Sequence, residues 1–356
     1  MADIRTPYAK EFDEKANEQL HNLLSQLPVL CNKYFGHIQR SKMIRTRLAY
    51  AQDLLSFYRF LAKLPKYNKP VLEFTSTDMD ALTADEINEF LNFMAEPPAD
   101  AFQRKSGNSS LARYLSSITS YLEYLYRHEL IRRNIAILVE KPKLVESDIV
   151  YLEPHEVAAL LECIENCDKT MEAGSQAQRY QRKTKQRDLA IASLFLGTGM
   201  RISELVGIDM EHLDFDEQTV HIYRKGGKEA DLYFNDETKE ALLFYINDSR
   251  ISIAEKATEE HENALFLSMQ GKRMTVRAME IMIEKYREIS GIKKHITPHK
   301  LRSTYGTQLN QATGDLLLVT NVLGHSSPNT ARKHYTASKK SDYRRAGNAV
   351  TFREIQ

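Results

Sequence analysis

Residues 296–336 read ITPHKLRSTYGTQLNQATGDLLLVTNVLGHSSPNTARKHYT. His299 and Arg302 stand three apart, so a helix places both on one face. Pro298 suits the first turn of that helix, where its missing N–H would have no partner anyway. Asp315 and the apolar run behind it, residues 315–323, predict a second helix, and Gly324 is its stop signal. His325 then falls just past a helix end, where a loop can aim a side chain at a ligand. Tyr335 follows behind the pair Lys333-His334. Taken singly, each feature has an ordinary explanation: a surface helix face for His-x-x-Arg, packing for a late tyrosine. Their order and spacing, together with partners upstream, carry the argument.

The chain has 356 residues, enough for two domains that each bury a core. Its formal net charge of +1 argues against a protein that coats nucleic acid without specificity. It stays compatible with basic residues gathered on one face and acids on another. Three cysteines, Cys31, Cys163 and Cys167, are too few and odd for a disulfide framework and point to a reducing compartment. Cys163 and Cys167 share a helical face, but no His or Cys cluster nearby would complete a metal site, so they read as small buried apolar residues. The N-terminus, MADIRTPYAKEFDEK, is polar and acid-bearing, which predicts no signal peptide. No apolar run approaches the roughly 20 residues of a membrane span. A cytoplasmic protein without a membrane partner is expected.

Residues 8–35 read as helical with a break at Pro28, and Leu20, Leu23, Leu24 and Leu27 form the apolar stripe. Residues 40–47, RSKMIRTR, open a second helix that carries Leu48, Leu54, Leu55, Tyr58 and Leu61. Their cations fit either a solvated helix start or contact with an external anion. Basic residues at a helix N-terminus oppose the dipole by roughly 0.3 kcal/mol or more. Thr83 and Glu86 form a capping box for a helix through Met94. Ser109 or Ser110 is expected to cap a helix with Leu111, Leu115, Ile118, Leu122 and Leu125 inward and tyrosines at the core edge. The polar stretch KPKLVESDI, residues 141–149, reads as a linker. A new helix begins with Pro154 in its first turn. The expected division is 8–145 and 146–356.

The most basic window, RYQRKTKQR at 179–187, reads as a loop, either solvated or in contact with phosphate, ahead of an apolar helix over 189–196. In LGTGMRISEL, residues 196–205, Gly197 is expected to end that helix in the left-handed conformation, with Thr198 or Gly199 capping the next. Arg201 then lies in a first turn, where backbone N–H groups and the dipole favour an anion. Glu204 either caps that helix or holds the arginine. Residues 220–234 give a strand pair around RKGGK, with Lys225 and Lys228 flanking a Gly-Gly turn. Helices resume over 236–246 and 276–289.

In chain order the candidates are Arg201, Lys225, His299, Arg302, His325 and Tyr335, with no acid cluster for a metal. GTGMRISEL, RKGGK, TPHKLRSTYGT, LGHSS and the context of Tyr335 together resemble the catalytic motifs of the tyrosine recombinase, or phage integrase, family, Xer-type and XerS-like. The resemblance covers 150–340 in detail; the front half is similar in character alone. It implies a mainly α fold with a small β-sheet, an N-terminal helical core-binding domain on DNA and a C-terminal catalytic domain. It further implies Tyr335 as nucleophile and Arg201 and Arg302 on the non-bridging phosphate oxygens. Lys225 would be the acid to the leaving oxygen, His299 would take or relay the tyrosine proton, and His325 would bond the phosphate. Guanidinium forks match phosphate geometry and stay charged, which suits these roles without a cofactor. The implied partners are a double-stranded recombination site and further copies of the chain, a dimer on each site and a tetramer in synapsis. By the same resemblance, residues 341–356 would pack on a neighbouring subunit.

Three departures stand out. Arg224 occupies a position where glycine often precedes the lysine, Ser303 stands where a second histidine is common, and the interval from His325 to Tyr335 is longer than in many relatives. Lys228 and Tyr343 are the fallbacks for Lys225 and Tyr335. The resemblance implies site-specific recombination through a 3′-phosphotyrosine and a Holliday junction, in chromosome dimer resolution. The alternatives are an integrase or excisionase of a mobile element, a type IB topoisomerase, and a DNA-binding protein with a decayed site. The length leaves no room for an extra N-terminal arm-binding domain, although some integrases lack one too.

Overall fold

The computed structural model describes residues 7–98, 105–143, 150–224 and 227–324. The chain separates into two compact units, divided between Ser147 and Asp148.

The N-terminal unit is helical. Its elements are α1 (Pro7–Leu24), α2 (Val29–Ile38), α3 (Ile44–Leu61), α4 (Ser76–Asp80), α5 (Ala84–Ala95) and α6 (Asn108–Arg127). Pro28 caps α2 and so separates it from α1. The capping box of α5 is formed: the Thr83 amide donates to Glu86 at 2.8 Å and the Glu86 amide to the Thr83 hydroxyl at 3.3 Å. The cap of α6 is Gly107, not Ser109 or Ser110, and the Asn108 side chain donates to the Lys143 carbonyl at 2.8 Å. The apolar stripes of α1, α2, α3, α5 and α6 meet in one core that includes Leu54, Tyr58, Phe90, Tyr121 and Leu125. Two of its buried phenols pair with each other: Tyr58 and Tyr121 share a hydrogen bond of 2.7 Å, so neither polar tip is stranded. Asp53 is also buried, on α3, where Arg113 donates to it. At the start of α3 the Arg45 guanidinium lies 4.1 Å over the Phe12 ring.

The C-terminal unit contains α7 (Pro154–Asn166), α8 (Gln176–Thr198), α9 (Ile202–Val206), α10 (Asp236–Asn247), α11 (Ser249–Ala254), α12 (Val276–Ile289), α13 (Pro298–Thr313) and α14 (Leu316–Leu323). Between α9 and α10 lie β1 (Leu213–Asp214), β2 (Thr219–Arg224) and β3 (Lys228–Tyr233), an antiparallel sheet in the order β1-β2-β3. Val220 pairs with Leu232 and Ile222 with Ala230. Val220, Ile222 and Leu232 are buried, so alternate residues of the hairpin join the core. The two-residue β1 was not apparent from the sequence.

Helix α8 corrects the sequence reading most. The basic window at 179–187 is not a loop; it is the first half of one long helix. Ser175 caps it, accepting from the Gln178 amide at 3.1 Å. The face it buries is polar, with Gln178, Gln181, Thr184, Arg187 and Asp188 all inward, and hydrophobic periodicity therefore fails to reveal it. Arg187 donates through Nε and Nη2 to Asp188 at 2.9 and 2.7 Å, and through Nη1 to the Leu267 carbonyl at 3.0 Å. Tyr286 of α12 donates to the other Asp188 oxygen at 2.8 Å. A buried ion pair persists when its remaining donors and acceptors are met in this way.

Gly197 does not end α8; it lies within it. A Cβ there would meet the Thr238 hydroxyl of α10 at 2.7 Å, so the glycine permits close helix packing. Gly199, at φ 61°, is the left-handed terminator. Helix α13 begins after Thr297 with Pro298 in its first turn, and Thr304 on it accepts from the Leu152 amide at 2.9 Å. Among the described residues no helix is long and apolar enough to cross a membrane.

Candidate active site

The site is organised on the C-terminal end of α14. A helix leaves its last carbonyls without intrahelical partners and carries partial negative charge there. Here, arginines from three elements supply the donors. Arg224, the last residue of β2, donates to the Val322 carbonyl at 2.5 Å and the Asn321 carbonyl at 3.4 Å. Arg302, on α13, donates to the Leu323 carbonyl. Arg201, the cap of α9, donates to the Gly324 carbonyl at 3.3 Å. Consecutive carbonyls thus bind guanidiniums that are far apart in sequence.

Each arginine is held by its own element. Arg201 caps α9, with its amide bonded to Glu204 at 2.6 Å and its Nη1 to the other Glu204 oxygen at 2.8 Å. Glu204 therefore fills both of the roles the sequence left open, capping and holding the arginine. Arg302 is buried and donates through Nη1 to the Gly199 carbonyl at 2.7 Å. Gly199 permits this arrangement in two ways. Its φ of 61° is costly for other residues, and a Cβ would fall on the Tyr305 ring and 2.9 Å from Leu323. Gly324, also left-handed at φ 60°, leaves room for Arg224: a Cβ would lie 3.1 Å from its Nε and closer still to its Nη1. Burial, joined by the charge of Arg201, pulls the Arg224 guanidinium below its ordinary pKa, against the opposing pull of Glu204.

Of the sequence-predicted residues, Arg201 and Arg302 are brought together at adjacent carbonyls. His299 lies one turn before Arg302 at the start of α13 and is exposed. Its carbonyl accepts from the Ser303 hydroxyl at 3.0 Å, which is the place Ser303 finds in lieu of a second histidine. Lys225, His325, Tyr335 and Tyr343 lie outside the described residues. Lys228 opens β3, paired with Arg224 and exposed. The sequence reading marked Arg224 as a departure from pattern and gave it no place in the site; that departure was the available signal.

One group of potential metal ligands occurs among the described residues: Asp209, Glu211 and His212, with ligand atoms within 4.8 Å of one another. Its geometry serves capping. The Asp209 amide donates to His212 Nδ1 at 2.9 Å and Arg273 pairs with the Asp209 carboxylate, which leaves the set poorly arranged for an ion.

Residues 151–342 match the model of the phage integrase family. The chain is 28% identical over 301 residues to tyrosine recombinase XerC of Thermodesulfovibrio yellowstonii, covering 84% of this chain and 88% of that one. It is 32% identical over 238 residues to tyrosine recombinase XerD of Staphylococcus epidermidis, covering 67% and 75%. Its fold is similar to that of the XerH site-specific recombinase bound to difH substrate, at 19% identity, with TM-score 0.63 over 94% of this chain and 88% of that one. The Tn1549 transposon integrase in complex with circular intermediate DNA is similar too, at 18% identity, with TM-score 0.63 over 90% and 99%.

Proposed function

Because the chain belongs to the phage integrase family and is a tyrosine recombinase, an enzyme that cleaves and rejoins DNA, we propose that it recombines double-stranded DNA at a specific site through a 3′-phosphotyrosine and a Holliday junction, in Xer-type resolution of chromosome dimers. The observation that carries the reading is the convergence of Arg201 and Arg302 on the carbonyls of Gly324 and Leu323. Two guanidiniums fixed side by side suit the non-bridging oxygens of one phosphate.

In the proposed reaction the Tyr335 oxygen attacks phosphorus while the bond to the 5′-oxygen breaks. His299 receives or relays the phenol proton, and Lys225 delivers a proton to the departing oxygen. His325 bonds the phosphate, and the arginines stabilise the charge of the crowded transition state. Attack by a 5′-hydroxyl from the partner strand then reverses these bond changes and frees the tyrosine. One phosphodiester replaces another, so neither water nor a nucleotide cofactor is consumed. Pro7–Ser147 would be the core-binding unit on DNA, with Arg40, Lys42, Arg45 and Arg47 among its candidate phosphate contacts. A dimer on each site and a tetramer in synapsis would align the strands. The Xer-type role is supported by the long alignments to XerC and XerD proteins.

The test is covalent trapping. The full chain, incubated with a nicked duplex selected by its own binding, is expected to yield a protein–DNA adduct that Tyr335→Phe does not form. A supercoiled plasmid with two direct copies of the site is expected to resolve into two circles. Integration of a one-site circle without resolution would move the role to a mobile element. Relaxation of a plasmid lacking the site would indicate topoisomerase action, and binding without an adduct would indicate a DNA-binding protein.

A further inference from the structure

Arg224 has no part in the mechanism above, yet it is built into the same helix end as Arg201 and Arg302. It closes β2, where its pairing with Lys228 is the last rung of the hairpin. Its side chain leaves the hairpin and bonds the carbonyls of Val322 and Asn321, 98 and 97 positions away in the chain. The next residue in sequence is Lys225, and the residue after Gly324 is His325. The tie therefore joins the strand that leads into one proposed catalytic residue to the helix that leads into another. A glycine at position 224, the common residue of the family pattern, would lack this tie.

We propose that Arg224 is a positioning residue for proton delivery: its guanidinium fixes the end of β2 to the C-terminal end of α14, the helix end that also binds Arg201 and Arg302. The proposal rests on the recombinase mechanism above and adds to it. A proton donor displaced by about 1 Å can lose about 100-fold in rate.

The consequence is specific to one bond. Breaking P–O5′ needs a proton on the leaving oxygen. Breaking P–S5′, in DNA with sulfur at the bridging position, releases a thiolate whose conjugate acid has a pKa of about 8.5, and no proton is required. The sulfur duplex and its oxygen counterpart, both of the sequence selected by the wild-type chain, are the probes. Cleavage by full-length wild type, Arg224→Ala, Arg224→Lys and Arg302→Ala is followed as covalent adduct against time. On oxygen DNA, Arg224→Ala is expected to be about 100-fold slow, with partial recovery in Arg224→Lys, which keeps one donor. On sulfur DNA, Arg224→Ala is expected to match wild type while Arg302→Ala stays slow. An equal defect of Arg224→Ala on both substrates, or no defect on either, would overturn the proposal. Absence of an adduct from wild type itself would reject the recombinase reading, and this inference with it.

Discussion

Arg201 and Arg302 donate to the carbonyls of neighbouring residues, Gly324 and Leu323, so their guanidiniums meet at the end of one short helix. Each is also anchored elsewhere, Arg201 on Glu204 and Arg302 on the Gly199 carbonyl.

Replacing either arginine by alanine is therefore expected to leave DNA binding nearly intact and to slow strand cleavage about 100- to 1,000-fold, the usual effect of removing one preorganised oxyanion donor. Arg302→Lys is expected to recover little, because an ammonium cannot reproduce a planar fork shared between two acceptors. Adduct yield and duplex binding, measured on the same preparations, check both statements. Cleavage by Arg302→Ala at wild-type rate would remove the phosphate-binding role.

Gly199→Ala combines a left-handed backbone with a side chain that has no room beside Tyr305 and Leu323. A loss of about 1–3 kcal/mol is expected from strain of this kind. Denaturant unfolding of the full chain is expected to show it in the C-terminal unit, and cleavage should fall with it. Gly107→Ala, at ordinary φ and with nothing within 4 Å of its Cβ, carries no strain of this kind; as the cap of α6 it is expected to lose about 1 kcal/mol or less, in the N-terminal unit.

Asp53 links stability of the N-terminal unit to pH. Burial raises its pKa from 3.8 to about 6, against the opposing effect of Arg113. A group whose folded pKa exceeds its unfolded one favours folding when protonated. Its ionised form thus costs stability above about pH 6, and that cost disappears as pH falls toward 3.8. Linkage puts the change at about 2–3 kcal/mol. Unfolding measured from pH 7 to pH 4 is expected to show this gain in the wild type and not in Asp53→Asn. A wild-type slope equal to that of the variant would exclude the linkage.

Thr83→Ala removes the hydroxyl that caps α5 and is expected to cost about 1 kcal/mol. The measurement is thermal unfolding of the full chain. Thr83→Ser, which keeps the capping oxygen, is expected to retain most of the stability.

Much of this could be read from residue order, and the exceptions have definite causes. Gly324 after an apolar run, Pro298 before His299, and Thr83 with Glu86 are local signals, and the corresponding helix ends appear where they predict. Helix α8 escapes the apolar pattern because the face it buries is made of glutamine, threonine, arginine and aspartate, whose partners are the Asp168 and Leu267 carbonyls, Tyr286 of α12 and carbonyls of α8 itself. Gly197 and Gly199 are indistinguishable as local stop signals; contact of α8 with α10 decides between them. Arg224 stands out in the sequence only as a departure from glycine, because its partners lie in another element. The pairing of Arg201 with Arg302 was inferred from resemblance to a family, and local pattern alone would not have supplied it.

The acceptors gathered at the end of α14 are amide oxygens, which carry dipoles but no formal charge. Fixing arginines with carboxylates would cancel their field, and an incoming anion would first have to displace a competitor. Backbone oxygens orient the same side chains and cancel less of that field than carboxylates would, with Glu204 offsetting part of the Arg201 charge. A phosphate could then arrive as an added ligand, and the region would draw polyanions from a distance that shrinks as salt is raised.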